Sequence, residues 1–534
     1  MPHVGVQSSE AKAHRVEFKS CKLQADSCKQ KLKPSREAAK IISMPDSSPG
    51  ERGQLRHLCA VAAVLFAGLL LYSQTHSFSW DEGFHLLAAQ LIMSGKRPYL
   101  DFCFPQTPLN AYLTAGWMRL FGDTWRAVHV LQAVWVAGAA FLTADFIRSR
   151  FPVPGWRLAG AVAAAVAVGM NSQVVLFGTI GQSYGLCLFL IVAAYRLAVV
   201  AVEREGASPA AAAGFMAGAA AASSLLTAPV GPVLLLWMAL RNRAGSRWVK
   251  LAAFLGGGAI AWLPIAWLYR QGPRQTIFNL VLYQLKYRHK WNGATGQDIT
   301  ALTSWIDSAQ GLSLGLLAAA GLWFIVRDSG WERERRAEFY LALWLALGLS
   351  AEMATAHPTF ERYFLLVTPF GAILAVAGLY AVGVRLSGPD RPMRAAYFLI
   401  AILTLGLGKA LYEDSDSYSW KDTEKIAHKV DSVTPRGAAI WADELIYFLI
   451  RRPPPDGMEF AYAHEIEEMP AAQAASLHIL TAAELQRRAK AGEYKTVAAC
   501  YDTDNTDAAK AADLYRQKEV IKDCTVYWDF AGHP

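Results

Sequence analysis

Eleven long apolar, sparsely charged stretches decide what this chain can fold into. They lie at about residues 58–74, 126–147, 158–176, 182–202, 209–224, 228–240, 249–269, 305–326, 339–354, 362–384 and 395–412. Each is long enough, or nearly so, to cross a hydrocarbon core of ~30 Å. The two between 209 and 240 are short and meet at the breaker cluster Thr227-Ala-Pro229-Val-Gly-Pro232, which reads as a tight hairpin or a broken helix. With 53 % apolar and only 18 % charged residues, the 534-residue chain is too oily for a soluble protein, where about a quarter of residues are charged. An all-α polytopic membrane protein of about eleven transmembrane helices is the expected class. Seventeen Trp and twenty Tyr fit it, because amphipathic rings collect at membrane interfaces.

Charge divides the chain. Residues 413–534 carry a net charge of −8, leaving +16 for residues 1–412. Residues 1–57 hold seven lysines among Ser and Gln without a sustained apolar period, and read as a disordered basic cytoplasmic arm. If the amino terminus is cytoplasmic, the inner loops hold Arg148, Arg150, Arg157, Arg204, Arg241, Arg243, Arg247, Lys250, Arg327, Arg333, Arg335, Arg336, Arg385, Arg391 and Arg394, while the short outer loops near 177–181 and 225–227 hold none. This asymmetry follows the positive-inside rule. Eleven crossings then put 413–534 outside, as a periplasmic domain. Strand-length runs at Ala438-Ala-Ile-Trp-Ala and Thr496-Val-Ala-Ala-Cys-Tyr, with helical spacing over 421–433 and 508–517, predict a small α/β domain. An oxidising compartment would permit a Cys500–Cys524 disulfide; two free thiols fit the spacing as well.

Two outer segments, 75–123 and 270–303, are long where the others are short, and long loops on one face of a bundle are where chemistry collects. In the first, Phe84, Leu87, Ala88, Leu91 and Ile92 form an apolar stripe on a helix too short to span, predicted to lie flat on the outer surface. Thr107 as N-cap, Pro108 at N1 and Gly122 beyond Phe121 bound a second short helix. Asp81, Glu82, His85 and Asp101 are the titratable candidates. The first three have a plain alternative: Ser79-x-x-Glu82 fits a capping box, Asp81 suits the positive end of the same helix, and His85 suits an interface.

Trp80-Asp81-Glu82 just after the first span, then Gly95, Pro98-Tyr99-x-Asp101, Pro105-x-x-Pro108-Leu109 and Tyr112, resembles the GT-C glycosyltransferases. The similar branch is the polyprenyl-phosphate-sugar-dependent one that includes protein mannosyltransferases and the lipid A aminoarabinose transferase. Gly214-x-x-x-Gly218, Thr227-x-Pro229 and Arg362-Tyr363 through Pro369 extend the resemblance over 58–412. Gln106-Thr107 replaces the Glu-Lys of the aminoarabinose transferases before the second proline, which argues against that activity and leaves the donor sugar open. The resemblance implies that Asp81 is the base that takes the proton of the acceptor hydroxyl. Glu82, His85 and Asp101 are acceptor or metal candidates. A divalent metal ion on Asp81, Glu82 or Asp101 is left open, since no spacing demands one.

Arg270, Arg274, Lys286, Arg288 and Lys290 run against the positive-inside bias. Either they snorkel from an amphipathic helix to anionic headgroups, or Lys286 and Arg288 neutralise the donor's phosphate. Arg362 with Tyr363 opens the tenth span, as a helix-end anchor or as a further phosphate contact. The expected protein is a bacterial inner-membrane glycosyltransferase. It would move a sugar from an outward-facing polyprenyl-phosphate donor to a glycolipid, glycan or protein, with the lipid bilayer and not nucleic acid as its surroundings. The rival readings are a transporter or lipid flippase, and a polysaccharide polymerase or ligase using a diphosphate-linked donor.

Overall fold

The computed structural model describes residues 49–288, 294–327, 331–388, 390–415, 418–466, 469–500 and 512–532. Most of the predicted basic arm therefore lies outside the described residues. The first helix, Pro49–Thr75, starts ahead of the expected residue 58.

All eleven apolar stretches are helical, yet seven helices are long and apolar enough to span, or nine if each of two bent pairs counts once. The bends have local causes. Between Pro154–Gly169 and Ser172–Gly178 (51°), the Asn171 side chain caps a fresh helix by accepting from Val174 N. Between Arg247–Ala261 and Leu263–Gln271 (52°), Pro264 removes a donor. The expected count of eleven falls at the short pair. Ser208–Ser223 and Val230–Arg241 have 16 and 12 residues, and twelve residues at about 1.5 Å each do not cross the core. A Cβ on Gly214 would lie 1.9 Å from Phe254 O, so Ser208–Ser223 meets Arg247–Ala261 backbone to backbone, as small residues allow in membranes. Nine and eleven are both odd counts.

Ion pairs gather the helix ends on one face. Arg150 binds Glu203 at 2.5 Å and Glu338 at 3.3 Å, Arg335 binds Glu338 at 3.3 Å, and Arg243 binds Glu203 at 3.4 Å. Asp145 bridges Arg148 and Arg196, each at 2.6 Å. Arg150, Arg243 and Arg335, from three loops predicted to share a side, thus share one network.

The opposite face carries the two long loops and the carboxy-terminal domain, packed together. Trp420, on helix Trp420–Val433, stacks on Trp125 at 4.5 Å, and Glu424 accepts from the Trp125 indole at 3.0 Å. The domain is α/β, with β1 (Ala439–Trp441), β2 (Tyr494–Ala499), β3 (Tyr515–Ile521) and β4 (Cys524–Phe530) in the order β1-β2-β4-β3. β1 and β2 are parallel, while β4 is antiparallel to both neighbours. Cys500 and Cys524 form a disulfide. The helix expected over 508–517 is corrected in its described part: Ala512–Leu514 is one 3-10 turn and Tyr515 begins β3. Pairing with β4 overrides the local helical spacing, and β3 is an edge strand whose exposed Arg516, Lys518 and Glu519 discourage further pairing.

The first-loop helix, Glu82–Met93, is also corrected. It does not lie on the surface: Glu82 to Ala89 are all buried, because the domain covers the face that the bundle leaves open. A Cβ on Gly83 would come within 3.0 Å of Leu445 N. Leu109–Phe121 forms as expected with Gly122 at φ 110°, but Pro108 is its N-cap and the buried Thr107 hydroxyl makes no capping bond.

Candidate functional site

Two distant segments converge on Asp81. The residue caps Glu82–Met93 by position, without a side-chain capping bond, so its carboxylate is free to face other groups. Arg362, on the 3-10 turn Glu361–Val367 that opens its span, places Nη2 2.5 Å from Asp81 Oδ2. Tyr462, from the carboxy-terminal domain, donates its hydroxyl to Asp81 Oδ1 at 2.6 Å. The Asp81 and Arg362 side chains are 18 % and 20 % exposed, low enough for their attraction to count and open enough for a ligand to enter. Phe360 stacks under the guanidinium, 4.4 Å from its ring centre.

The other arginine comes from the second long loop. Arg288 donates to Pro358 O at 2.9 Å and to the Tyr363 hydroxyl. Asp298 accepts from Thr359 N at 2.6 Å and from His357 at 2.5 Å, fixing the turn from which Arg362 emerges. The second loop is tied to the first through Asn279, which accepts from Phe104 N at 2.8 Å, and Gln284, which donates to Pro105 O at 2.9 Å. Lys286 is exposed at the end of Tyr283–Lys286, and no described contact brings it to the pair.

The remaining acidic candidates are committed elsewhere. Glu82 is fully buried: Oε1 accepts from Ser79 N at 3.2 Å, as a capping box requires, and Oε2 faces His129 Nε2 at 2.8 Å and Gly181 N at 2.7 Å. Asp101 makes a two-pronged pair with Arg97, 2.9 Å on each prong, which holds its carboxyl below the usual range. His85 is buried one turn after Asp81, and desolvation lowers its imidazole to about 4, so it is neutral. Its Nδ1 has no hydrogen-bond partner.

Sequence reasoning missed Tyr462 and the acidic pair Asp443 and Glu444. Glu444 is buried near Asp81 and accepts from Ala461 N at 2.6 Å. Burial raises its carboxyl to about 7 and raises that of Asp443, which accepts from Leu445 N at 2.8 Å. The adjacent acids after an apolar strand were a visible signal, lost among 22 acidic residues in the tail.

No family model and no curated protein matches the sequence. Solved structures do match. ArnT from Cupriavidus metallidurans bound to undecaprenyl phosphate superposes with a TM-score of 0.64 at 15 % identity, over 90 % of this chain and 99 % of that one. Its apo form gives 0.62 at 14 %, over 90 % and 98 %. The archaeal oligosaccharyltransferase AglB from Archaeoglobus fulgidus, in complex with an inhibitory peptide and a dolichol-phosphate, gives 0.51 at 13 %, over 91 % and 75 %. The chain has the GT-C fold. Its carboxy-terminal domain is part of the likeness, since the superposition on ArnT takes in nine-tenths of the residues.

The carboxylates named as metal candidates are not brought together among the described residues. Among the described residues no three His, Cys, Asp or Glu side chains come together as ligands. Asp81, Glu82 and Asp101 each face different partners.

Proposed function

We propose that the protein is a polytopic bacterial inner-membrane glycosyltransferase. It moves a sugar from a polyprenyl-phosphate donor to a hydroxyl of a glycolipid, glycan or protein. One observation carries the reading. On a fold shared with ArnT bound to undecaprenyl phosphate, an acidic residue of the first long loop meets an arginine at the mouth of a span.

The chemistry follows from that geometry. The acceptor oxygen attacks the anomeric carbon while Asp81 takes its proton. The bond from that carbon to the phosphate oxygen breaks, and its electron pair leaves on the phosphate. Arg362, with Arg288 and Tyr363 behind it, faces the negative charge that grows there, in a partly dehydrated site where such charge stabilisation is strong. A single displacement inverts the anomeric centre. No step is routed through a metal ion.

We place the amino terminus in the cytoplasm and residues 413–534 in the periplasm. The arginine network on the far face, the odd number of spans and the Cys500–Cys524 bridge support this orientation. A membrane-impermeant thiol label should reach the reduced domain in intact spheroplasts; labelling only after lysis would reverse it. A transporter would instead need ionisable groups near the middle of its spans. The charged groups here collect at both faces.

The test compares surface glycolipids, glycans and periplasmic glycoproteins, by mass spectrometry, between a strain with the chain and one without it. The expected result is the loss of one sugar, restored by the parent protein and not by Asp81→Asn. Identical profiles in the two strains would overturn the reading.

A further inference from the structure

Each oxygen of Asp81 already holds a partner. Arg362 takes Oδ2, and the Tyr462 hydroxyl takes Oδ1 at 2.6 Å. A base awaiting an alcohol would accept the same kind of bond, an O–H to a carboxylate oxygen at about 2.5–2.7 Å. The phenol therefore sits where the nucleophile of the reaction has to sit.

We propose that the Tyr462 hydroxyl holds the place of the acceptor hydroxyl on Asp81, so that the turn Ala461–Glu465 is a gate the acceptor displaces, with Glu444 as the residue that positions it. The inference rests on the reading of Asp81 as the base. It adds that the acceptor group is a neutral hydroxyl, and that the empty enzyme keeps water off its base.

The turn is built to be displaced and to return. It is a five-residue 3-10 turn whose amide at Ala461 is held by the buried Glu444 at 2.6 Å. Glu444 opens the helix Glu444–Ile450, which packs against Gly83 beside Asp81, so the anchor is rigid. The Tyr462 ring rests edge-on against Phe84 at 6.5 Å, and its carbonyl accepts from the Tyr283 hydroxyl at 3.4 Å. The bond to Asp81, from a hydroxyl to a carboxylate at 2.6 Å, is a strong polar contact of its side chain. The site also expects a polar visitor: the buried His85 Nδ1 and Arg362 Nε both lack partners, and such atoms are costly to leave unpaired. A hydroxyl-bearing acceptor supplies those partners. An amine would arrive as an ammonium beside the Arg362 guanidinium and be repelled.

In the empty enzyme the closed gate suppresses a side reaction. Without an acceptor, a water at Oδ1 could attack the anomeric carbon, give its proton to Asp81 and release free sugar and polyprenyl phosphate.

The test uses the full chain in detergent and has two arms. In the first, hydrogen exchange is followed in the peptide spanning 458–466, with no substrate present. Tyr462→Phe and Glu444→Ala should each speed it about tenfold or more, as loss of a hydrogen bond to a charged group implies. Glu444→Gln, whose amide oxygen still accepts from Ala461 N, should stay near the parent. Unchanged exchange in Tyr462→Phe would overturn the gate. In the second arm, purified protein is added to increasing amounts of membranes from the strain lacking the chain, which carry its own donor and acceptor. Tyr462→Phe should lower the apparent acceptor KM several-fold, keep kcat within about twofold, and raise free-sugar release several-fold. A fall in kcat at unchanged KM would overturn the gate and make Tyr462 a positioning residue for Asp81. If the parent transfers nothing, the proposed function falls, and the exchange arm alone decides the gate.

Discussion

The ion pair between Asp81 and Arg362 can be dissected because its two expected roles respond differently to the same substitutions. As a structural contact it joins the first loop to the tenth predicted span, with both side chains about four-fifths buried. Removing one partner of a buried pair costs about 3–5 kcal/mol, because the other charge is left uncompensated. Here the residual exposure and the Tyr462 bond to Asp81 soften the loss, so about 2 kcal/mol is expected for Asp81→Asn and for Arg362→Gln. In the double variant neither charge remains, and the loss should be well below the sum, with a coupling of about 1–2 kcal/mol. As a catalytic pair the behaviour is opposite. Asp81→Asn removes the proton acceptor and Arg362→Gln removes the group that meets the leaving phosphate, so each should lower turnover ~100-fold or more, and the double variant should be no better than the worse single one. The assay is a thermal melt in detergent beside sugar transfer into membranes of the strain lacking the chain. A stability loss smaller than the sum, with no recovery of activity, is the expected signature. Additive stability losses would remove the pair as a structural tie, and a double variant above half the parent rate would remove it from the chemistry.

Three further outcomes follow from the outer face. Glu444 and Glu459, both buried and both raised to about 7, bind protons more tightly folded than unfolded, so their contribution is fully present below pH ~4.5 and is lost as pH rises to about 7. His85 and His464, lowered to about 4, act the other way between about 4 and 6.5. The two effects oppose each other up to pH ~6.5, and above it the melting temperature should fall in the parent but stay flat in Glu444→Gln/Glu459→Gln; an equally steep fall in both would refute the assignment. Gly83→Val should lift Glu444–Ile450 off the first-loop helix, since even a Cβ there lies 3.0 Å from Leu445. Protease sensitivity of the domain should rise with no loss of membrane insertion, and an unchanged digestion pattern would count against the docking. Reducing the Cys500–Cys524 bridge, which spans 24 residues, should cost about 3 kcal/mol of domain stability by loop entropy. A melting curve indifferent to reductant would contradict it.

What the sequence made legible was whatever depends on local composition. Apolar runs became helices because a backbone in lipid must satisfy its own hydrogen bonds, and loop arginines reported their side because they sit together, Arg150 with Arg243 and Arg335 around Glu203 and Glu338. The capping box at Ser79 and Glu82 was legible for the same reason, being a contact between residues three apart. Everything set by tertiary contact was hidden. Helix Glu82–Met93 has an amphipathic stripe that reads as a surface helix, and only the docked domain explains why its polar side is buried as well. The helical spacing read over 508–517 gives way at Tyr515, where pairing with β4 takes over. Lys286 and Arg288 look equivalent two residues apart, but only Arg288 reaches Tyr363 in the described contacts.

Acidic partners separate the site from its surroundings more sharply than acidity does. Glu82, for all its burial, closes on Ser79 of the first loop, on His129 near the start of helix Trp125–Arg150 and on the Gly181 turn, which is the pattern of a fold-holding contact. Asp101 closes on Arg97, four residues away. Asp81 draws its partners from residues 362 and 462, far along the chain, and one of them is a neutral hydroxyl that an incoming alcohol can replace bond for bond. A carboxylate held that way is stable while empty and available when occupied, because exchanging one O–H donor for another costs little while an unpaired buried charge costs much. It also makes the carboxy-terminal domain part of the reaction's geometry. On the proposed reading Tyr462 and its Glu444 anchor shield the base from water, while Phe84, Leu87 and Leu91 share one buried cluster with Ile426 and Ile446 of the domain.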